Sequence, residues 1–176
     1  DKISVVRVKC GWDFSVAITS LHEVYAWGCN KFGQCGFSGE KSVFQPRRID
    51  LNDTIYEISC GWSHVFAMTQ TSKIYCWGRN DFGQCSRSTH PCLPELLNVN
   101  LEKCKIACGA EHTLIYDTTN PLILSTGWNE HGSCISPENE FIRSFLSIPL
   151  IFIVSNFSKT LLASGYGHSF FYFTEV

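Results

Sequence analysis

The chain has 176 residues, 44% of them hydrophobic and 17% charged, with a formal net charge of −2, a balance that excludes a disordered polyelectrolyte. Its basic residues are scattered, leaving no electrostatic footprint for direct nucleic-acid binding, and the longest apolar run, Pro149–Val154, is too short to span a bilayer. An aromatic content of 14% suits a sheet-rich protein, because aromatic side chains favour strands.

From the N-terminus, Val5–Val8 alternates into Cys10-Gly11, and Ser15–Thr19 is a short apolar run. Leu21-His22-Glu23 reads as a turn and Val24–Trp27 as the next strand. Gly28 breaks that strand, and Asn30–Gly33 carries residue types that tolerate positive φ. A polar loop over Ser38–Pro46 leads to an edge-like strand at Arg47–Leu51. The same order returns from Ile55: strand, Cys60-Gly61, strand at Val65–Thr69, turn at Gln70–Lys73, strand at Ile74–Trp77. It returns once more from Lys105, with Asp117–Pro121 as the turn. No segment has helical periodicity.

Two landmarks recur in step. One is Tyr25–Cys35 (Y-A-W-G-C-N-K-F-G-Q-C), repeated as Tyr75–Cys85 (Y-C-W-G-R-N-D-F-G-Q-C) and, more worn, as Leu124–Cys134 (L-S-T-G-W-N-E-H-G-S-C). The other is a Cys-Gly or Ser-Gly step at Gly11, Gly61, Gly109 and Gly165, followed by Trp12-Asp13, Trp62-Ser63-His64, Ala110-Glu111-His112 and Tyr166-Gly167-His168. Both keep a spacing of about 50 residues. Four short strands per unit at that period select an all-β fold, a β-propeller of four-stranded blades.

Residues 24–72, 74–118 and 122–174 give three units, with half a unit ahead of them in 1–20. That is about three and a half blades, whereas a closed ring typically has about four to eight. An open stack exposes apolar faces and sheet edges. The missing half of the ring is therefore expected in the same chain or in another one, the first being favoured. Asp1 is read as an internal start, because no methionine precedes it. The four glycines are expected where backbones crowd near the axis, and Tyr25, Tyr75, Trp27 and Trp77 in inter-blade packing.

Ten cysteines raise disulfide and zinc readings, and the repeat argues against both. Cys10, Cys60 and Cys108 share one repeat position, and Cys35, Cys85 and Cys134 another, as small buried hydrophobes would. Cys29, Cys76, Cys92 and Cys104 remain; there is no C-x-x-C, and Cys104-x-x-x-Cys108 lacks a partner pair at zinc-ribbon spacing. Reduced structural thiols in a cytoplasmic or nuclear protein are expected, with no metal and no cofactor. The acceptor patterns at Asn52 and Asn156 carry little weight without a secretory signal.

The pattern W-G-x-N-x-x-G-Q-C coupled to C-G-x-x-H resembles the regulator of chromosome condensation repeat, over essentially the whole chain. The resemblance implies a propeller of about seven blades, of which this is the C-terminal half. Val8–Phe14 (V-K-C-G-W-D-F) and Gly127–Cys134 (G-W-N-E-H-G-S-C) are similar to a subgroup of secretion-regulating guanine nucleotide exchange factors and alpha-tubulin suppressors. That subgroup places a short closing segment after its G-W-x-E-H-G-x-C blade, here Gly165–Val176.

The resemblance also implies an adaptor. Relatives of the subgroup bind the small metal-ribbon protein of diphthamide synthesis, which also serves tRNA wobble-uridine modification. The alternative is nucleotide exchange on a Ran-like small GTPase, although neither the protruding β-wedge nor the basic face that such exchange uses is present here. A third reading is a propeller module of a larger protein such as a ubiquitin ligase.

Family propellers present the residues after each axial glycine to partners, which makes Trp12, Asp13, Trp62, His64, Glu111, His112, Tyr166 and His168 candidate contact residues. Aromatic rings beside carboxylate and imidazole suit a protein-binding hot spot. Because His64, His112 and His168 recur at one position, each is alternatively a structural residue bonding a neighbouring blade's backbone. Trp128, Glu130 and His131 stand where Arg79, Asp81 and Phe82 stand in the better copy, and join the candidates as surface contacts. No G-x-S-x-G, phosphate-binding glycine loop or zinc-type His pair is present, so no catalytic residue is expected.

Overall fold

A computed structural model describes residues 4–87, 93–99, 101–120, 122–136, 140–149 and 157–175. Cys92 and most of Pro149–Val154 lie outside them, as does Asn156. The described residues contain no helix. They form β1 (Val5–Cys10), β2 (Phe14–Thr19), β3 (Val24–Cys29), β4 (Ser42–Ile49), β5 (Ile55–Cys60), β6 (His64–Thr69), β7 (Ile74–Gly78), β8 (Glu95–Leu96), β9 (Cys104–Cys108), β10 (His112–Asp117), β11 (Leu122–Trp128), β12 (Phe141–Pro149), β13 (Phe157–Ser164) and β14 (Ser169–Glu175).

These strands make three antiparallel meanders, β1-β2-β3-β4, β5-β6-β7-β8 and β9-β10-β11-β12, and a two-stranded remainder, β13-β14. The hydrogen-bonded sheets are out of phase with the units read from the sequence. Residues 1–20 supply the first two strands of a complete sheet whose other two strands belong to the unit 24–72. Each sequence unit thus begins in one sheet and ends in the next, which ties neighbouring blades covalently, and the two-stranded remainder falls at the C-terminal end. The fourth strand of the first sheet starts at Ser42, inside the stretch read as a polar loop. It is an outer strand, which is where Pro46 is tolerated.

Side chains alternate across each sheet, so one face receives the preceding blade and the other packs on the next. Between the first two sheets, Val16, Ile18, Val24 and Ala26 meet Ile58, Ala67, Tyr75 and Trp77, all buried. Trp77 is fully buried, and its indole N–H donates across the junction to the Gln34 carbonyl at 2.9 Å. The Trp27 counterpart is only half-buried and lines a groove with Val5, Val8, Ala17, Tyr25 and Pro46, because in the described residues no blade precedes the first sheet.

The N-x-x-G-Q-C stretch folds on its asparagine. The Asn30 side chain accepts from the Cys35 amide at 2.9 Å and donates to the Phe37 and Glu40 carbonyls; Asn80 and Asn129 accept from Cys85 and Cys134 and donate to Arg87 and Ser136 in the same way. Cys35, Cys85 and Cys134 are fully buried, each thiol directed at a backbone carbonyl, as in Cys35 to Cys29 O at 3.3 Å. Burial pushes the Cys35 and Cys134 thiols up to about 12. All nine described cysteines are free thiols.

Candidate partner-binding face

The inner loops and the asparagine loops emerge at one edge of the sheets. Phe14 pairs with Gly28, and the Cys29 amide donates to Asp13 O at 2.8 Å; Arg79 to Ser63 and Trp128 to Glu111 repeat that bond in the next two blades. The hinge needs glycine: Gly28 sits at φ 109°, and a Cβ there meets Asp13 O at 2.4 Å.

At the inner end of that edge the blades converge. Trp12 N–H donates to Trp62 O, Trp62 N–H to Ala110 O and Ala110 N–H to Gly165 O, at 3.0, 2.9 and 3.1 Å. This backbone ladder runs along the mouth of a cavity of about 320 Å³ lined by all four inner loops. Three rings rise around it, with centroids 5.0 Å apart for Trp12 and Trp62 and 4.8 Å for Trp62 and Tyr166, both in edge-to-face geometry. Trp12 is 68% and Tyr166 58% exposed, and they belong to the first and last strand pairs, beyond which the described residues hold no further blade. Asp13 is exposed beside Trp12.

Farther out lies a second aromatic cluster, of which sequence reading singled out Trp128 and His131 but not Phe32, Phe82 and Phe141. Phe82 stacks on Phe141 at 5.3 Å and tilts toward Trp128 at 6.3 Å, and Trp128 meets His131 at 5.5 Å. Arg79 lies over Phe32 and Phe82 at 4.9 and 5.1 Å, and Arg143 over Phe141 at 5.8 Å while donating to Asp81 O at 3.0 Å. The signal that could have found it is the phenylalanine shared by both good copies of the loop, Phe32 and Phe82. Glu130 and His131 are exposed and Trp128 is half-buried, so all three belong to this outer rim.

Three expected contact residues are buried and face a neighbouring blade. His64 Nε2 lies 2.9 Å from Thr113 Oγ1, and His112 Nε2 lies 2.9 Å from Ser169 Oγ. Each hydroxyl donates onward to a backbone carbonyl, Gln84 O at 3.1 Å and Ser133 O at 3.2 Å, and a hydroxyl has one proton. It must therefore accept from the ring, which assigns the proton to Nε2 and leaves His64 Nδ1 bare among the described residues. Burial drives the His64 pKa down to about 3 and that of His112 to about 4, each helped by the neighbouring imidazole. The histidines are inter-blade struts, and their partners are hydroxyls in place of the backbone groups foreseen from the repeat.

Glu111 is buried as well. It binds Arg79 of the preceding blade at 2.8 Å and also accepts from Gln84, while Arg79 holds Asp81 at 2.6 Å. Burial pushes the Glu111 carboxyl up, against Gln84 and Arg79, which hold it down. It therefore joins two blades and does not reach the surface. His168, at the same repeat position on the last strand pair, is exposed. Among the described residues no group of three or more His, Cys, Asp or Glu side chains is arranged to hold a metal ion.

The geometry defines a class: a propeller-type array of four-stranded blades, with an aromatic mouth on its axis and an arginine-aromatic rim on the same face. The regulator of chromosome condensation (RCC1) repeat matches residues 22–68 and 72–116, more than half of the chain, and a second model of that repeat matches 5–34 and 55–84. The chain belongs to the regulator of chromosome condensation repeat family.

An RCC1 domain-containing protein of Dictyostelium discoideum is 30% identical over 136 residues, 75% of this chain and 20% of its own length. The mouse serine/threonine-protein kinase Nek9 and the human E3 ubiquitin-protein ligase HERC2 are each 38% identical over 47 residues, 27% of this chain. They are matched over 5% and 1% of their own lengths, respectively. Among solved structures, yeast RCC1 (Prp20) bound to Kap60 superposes with a TM-score of 0.85 at 22% identity, covering 98% of this chain and 42% of that one. Human WBSCR16 superposes at 0.73 and 22% identity, covering 85% and 39%. The chain thus spans about two-fifths of the solved propellers it matches, and their likeness shows the fold.

Proposed function

We propose that this chain is a non-catalytic interaction module that docks a small protein partner on the face carrying Trp12, Trp62 and Tyr166. One observation carries the reading: three large rings from three blades converge, two of them well exposed, around a cavity on the axis. Buried rings at the centre of an interface are the usual source of binding energy. The groups best suited to acid–base work, His64, His112 and Glu111, are engaged in holding blades together. The likeness of Val8–Phe14 and Gly127–Cys134 to the secretion-regulating exchange factor and alpha-tubulin suppressor subgroup favours the metal-ribbon protein of diphthamide synthesis as partner, in the cytoplasm or nucleus. Further blades completing the ring belong to the same reading.

The test is co-elution of the purified chain with that metal-ribbon protein at micromolar concentration, together with a Trp12→Ala variant. A stable complex weakened by the substitution supports docking at the axial mouth. Independent elution of both proteins ends the assignment of that partner.

A second reading is nucleotide exchange on a Ran-like small GTPase. What favours it is the likeness to Prp20, whose crystal structure was described together with its binding to Gsp1p and histones. An unchanged nucleotide-release rate across several GTPases disposes of it. A third reading, a propeller module of a ubiquitin ligase, draws on the segment shared with HERC2.

A further inference from the structure

The axial cavity narrows the chemistry of what this face receives. Anion binding needs free N–H donors or basic side chains. The amides of Trp12, Trp62 and Ala110 are already bonded around the mouth, and the four inner loops contain no lysine or arginine. Arg79, farther out, is held by Asp81 and Glu111.

What the cavity offers is electron-rich and uncharged. Its wall is lined by Trp12, Trp62 and Tyr166 together with Cys10, Cys60 and Cys108. Burial holds Cys60 well above the usual thiol range and pushes Cys108 up to about 12, so both stay protonated at neutral pH. The exposed Asp13, next in the chain to the lining residue Trp12, adds a negative charge beside it. Lys9 makes itself felt at Cys60 but does not line the cavity. Aromatic rings, neutral thiol residues and one neighbouring carboxylate, without a competing cation in the wall, suit a positively charged alkyl group.

We propose that the axial cavity binds an alkylammonium side chain, a free or methylated lysine presented by the partner; this assignment rests on the docking reading of the same face. An aliphatic side chain fits the rings equally well in shape. Only a cation gains from both the ring quadrupoles and Asp13.

The experiment titrates the full chain with three blocked pentapeptides, Gly-Gly-X-Gly-Gly, where X is lysine, trimethyllysine or the uncharged carbon isostere of trimethyllysine. Indole fluorescence and indole N–H chemical shifts report binding. The charged peptides should bind about tenfold tighter than the isostere, the discrimination expected of a largely desolvated cation over aromatic faces. Trp12→Ala should remove about tenfold of that affinity with an unchanged urea midpoint, Asp13→Asn should weaken it several-fold, and Lys9→Ala should strengthen it. Equal binding of trimethyllysine and isostere overturns the proposal, as does charged-peptide binding indifferent to both Trp12→Ala and Tyr166→Ala. Co-elution of the metal-ribbon protein without binding of any charged peptide refutes the cation site and leaves the docking reading standing. Binding of charged peptides without co-elution does the reverse.

Discussion

His64 and Thr113 face each other across the junction of the second and third sheets, Nε2 to Oγ1 at 2.9 Å, and the hydroxyl donates its own hydrogen bond to Gln84 O. The next junction repeats the device with His112, Ser169 and Ser133 O. At the first junction the equivalent pair is Phe14 and Val65, both apolar and buried, and the loop carbonyl there, Gln34 O, is satisfied by the Trp77 indole. Each junction thus provides one donor for one loop carbonyl. Ring and partner change together, polar with polar and apolar with apolar.

That coupling predicts a non-additive double mutant. His64→Phe should leave the Thr113 hydroxyl without its donor, and Thr113→Val should strand both the His64 N–H and Gln84 O, each costing about 1–3 kcal/mol of unfolding free energy. The pair together should cost less than the sum by about 1 kcal/mol or more, since the double mutant no longer contains the His64 N–H that Thr113→Val alone strands, although Gln84 O still lacks the donor that Trp77 gives Gln34 O at the Phe14–Val65 junction. Urea denaturation of the four species measures this, and strict additivity would contradict the strut.

The same histidines set an acid limit. Their folded-state pKa values, about 3 and about 4, lie below the ordinary histidine value, so the unfolded chain binds more protons between that value and the folded ones. Stability from this source is complete above about pH 6.5 and falls as pH drops toward 4, by roughly 1.4 kcal/mol per pH unit per histidine at its steepest. Thermal unfolding between pH 7.5 and 4.5 should show a declining midpoint. His64→Phe should flatten the slope.

Gly61 and Gly132 should respond very differently to alanine. A Cβ on Gly61 meets His64 Cε1 at 2.0 Å and Gly109 O at 2.6 Å, backbone that is part of the next blade and has nowhere to retreat. Gly61→Ala should cost about 3 kcal/mol or more and broaden the indole N–H spectrum. Gly132 has nothing within 4 Å of its Cβ and only its φ of 73° to strain, so Gly132→Ala should cost about 1 kcal/mol.

Arg79 and Glu111 are unequal partners. Glu111 is buried with 6% of its side chain exposed, against 25% for Arg79. Arg79→Ala should leave a buried carboxylate held by Gln84 alone and cost about 3 kcal/mol. Glu111→Gln should cost less, because Arg79 keeps Asp81 and the phenylalanine rings. Chemical denaturation of the two variants ranks them; a larger loss for Glu111→Gln would contradict this picture of the network.

By itself the sequence determined the repeat, the four-stranded unit and the glycine hinges. Such features are written locally: Asn30 and Cys35 bond within one loop, Gly28 meets its own neighbour Asp13, and alternation along a strand depends on nothing farther away. It also pointed to Trp12, Trp62 and Tyr166, because equivalent positions in a radial array must converge. Only the tertiary structure decided that His64 and His112 turn toward the next blade and Glu111 toward the preceding one, while Trp12 lines the mouth and Asp13 stays exposed beside it. Burial depends on the neighbour: an imidazole is a contact residue or a strut according to whether a hydroxyl from another blade stands 2.9 Å away. The phase of the sheets was likewise hidden, since a period near 50 marks where the pattern returns and is silent on which strand opens each blade.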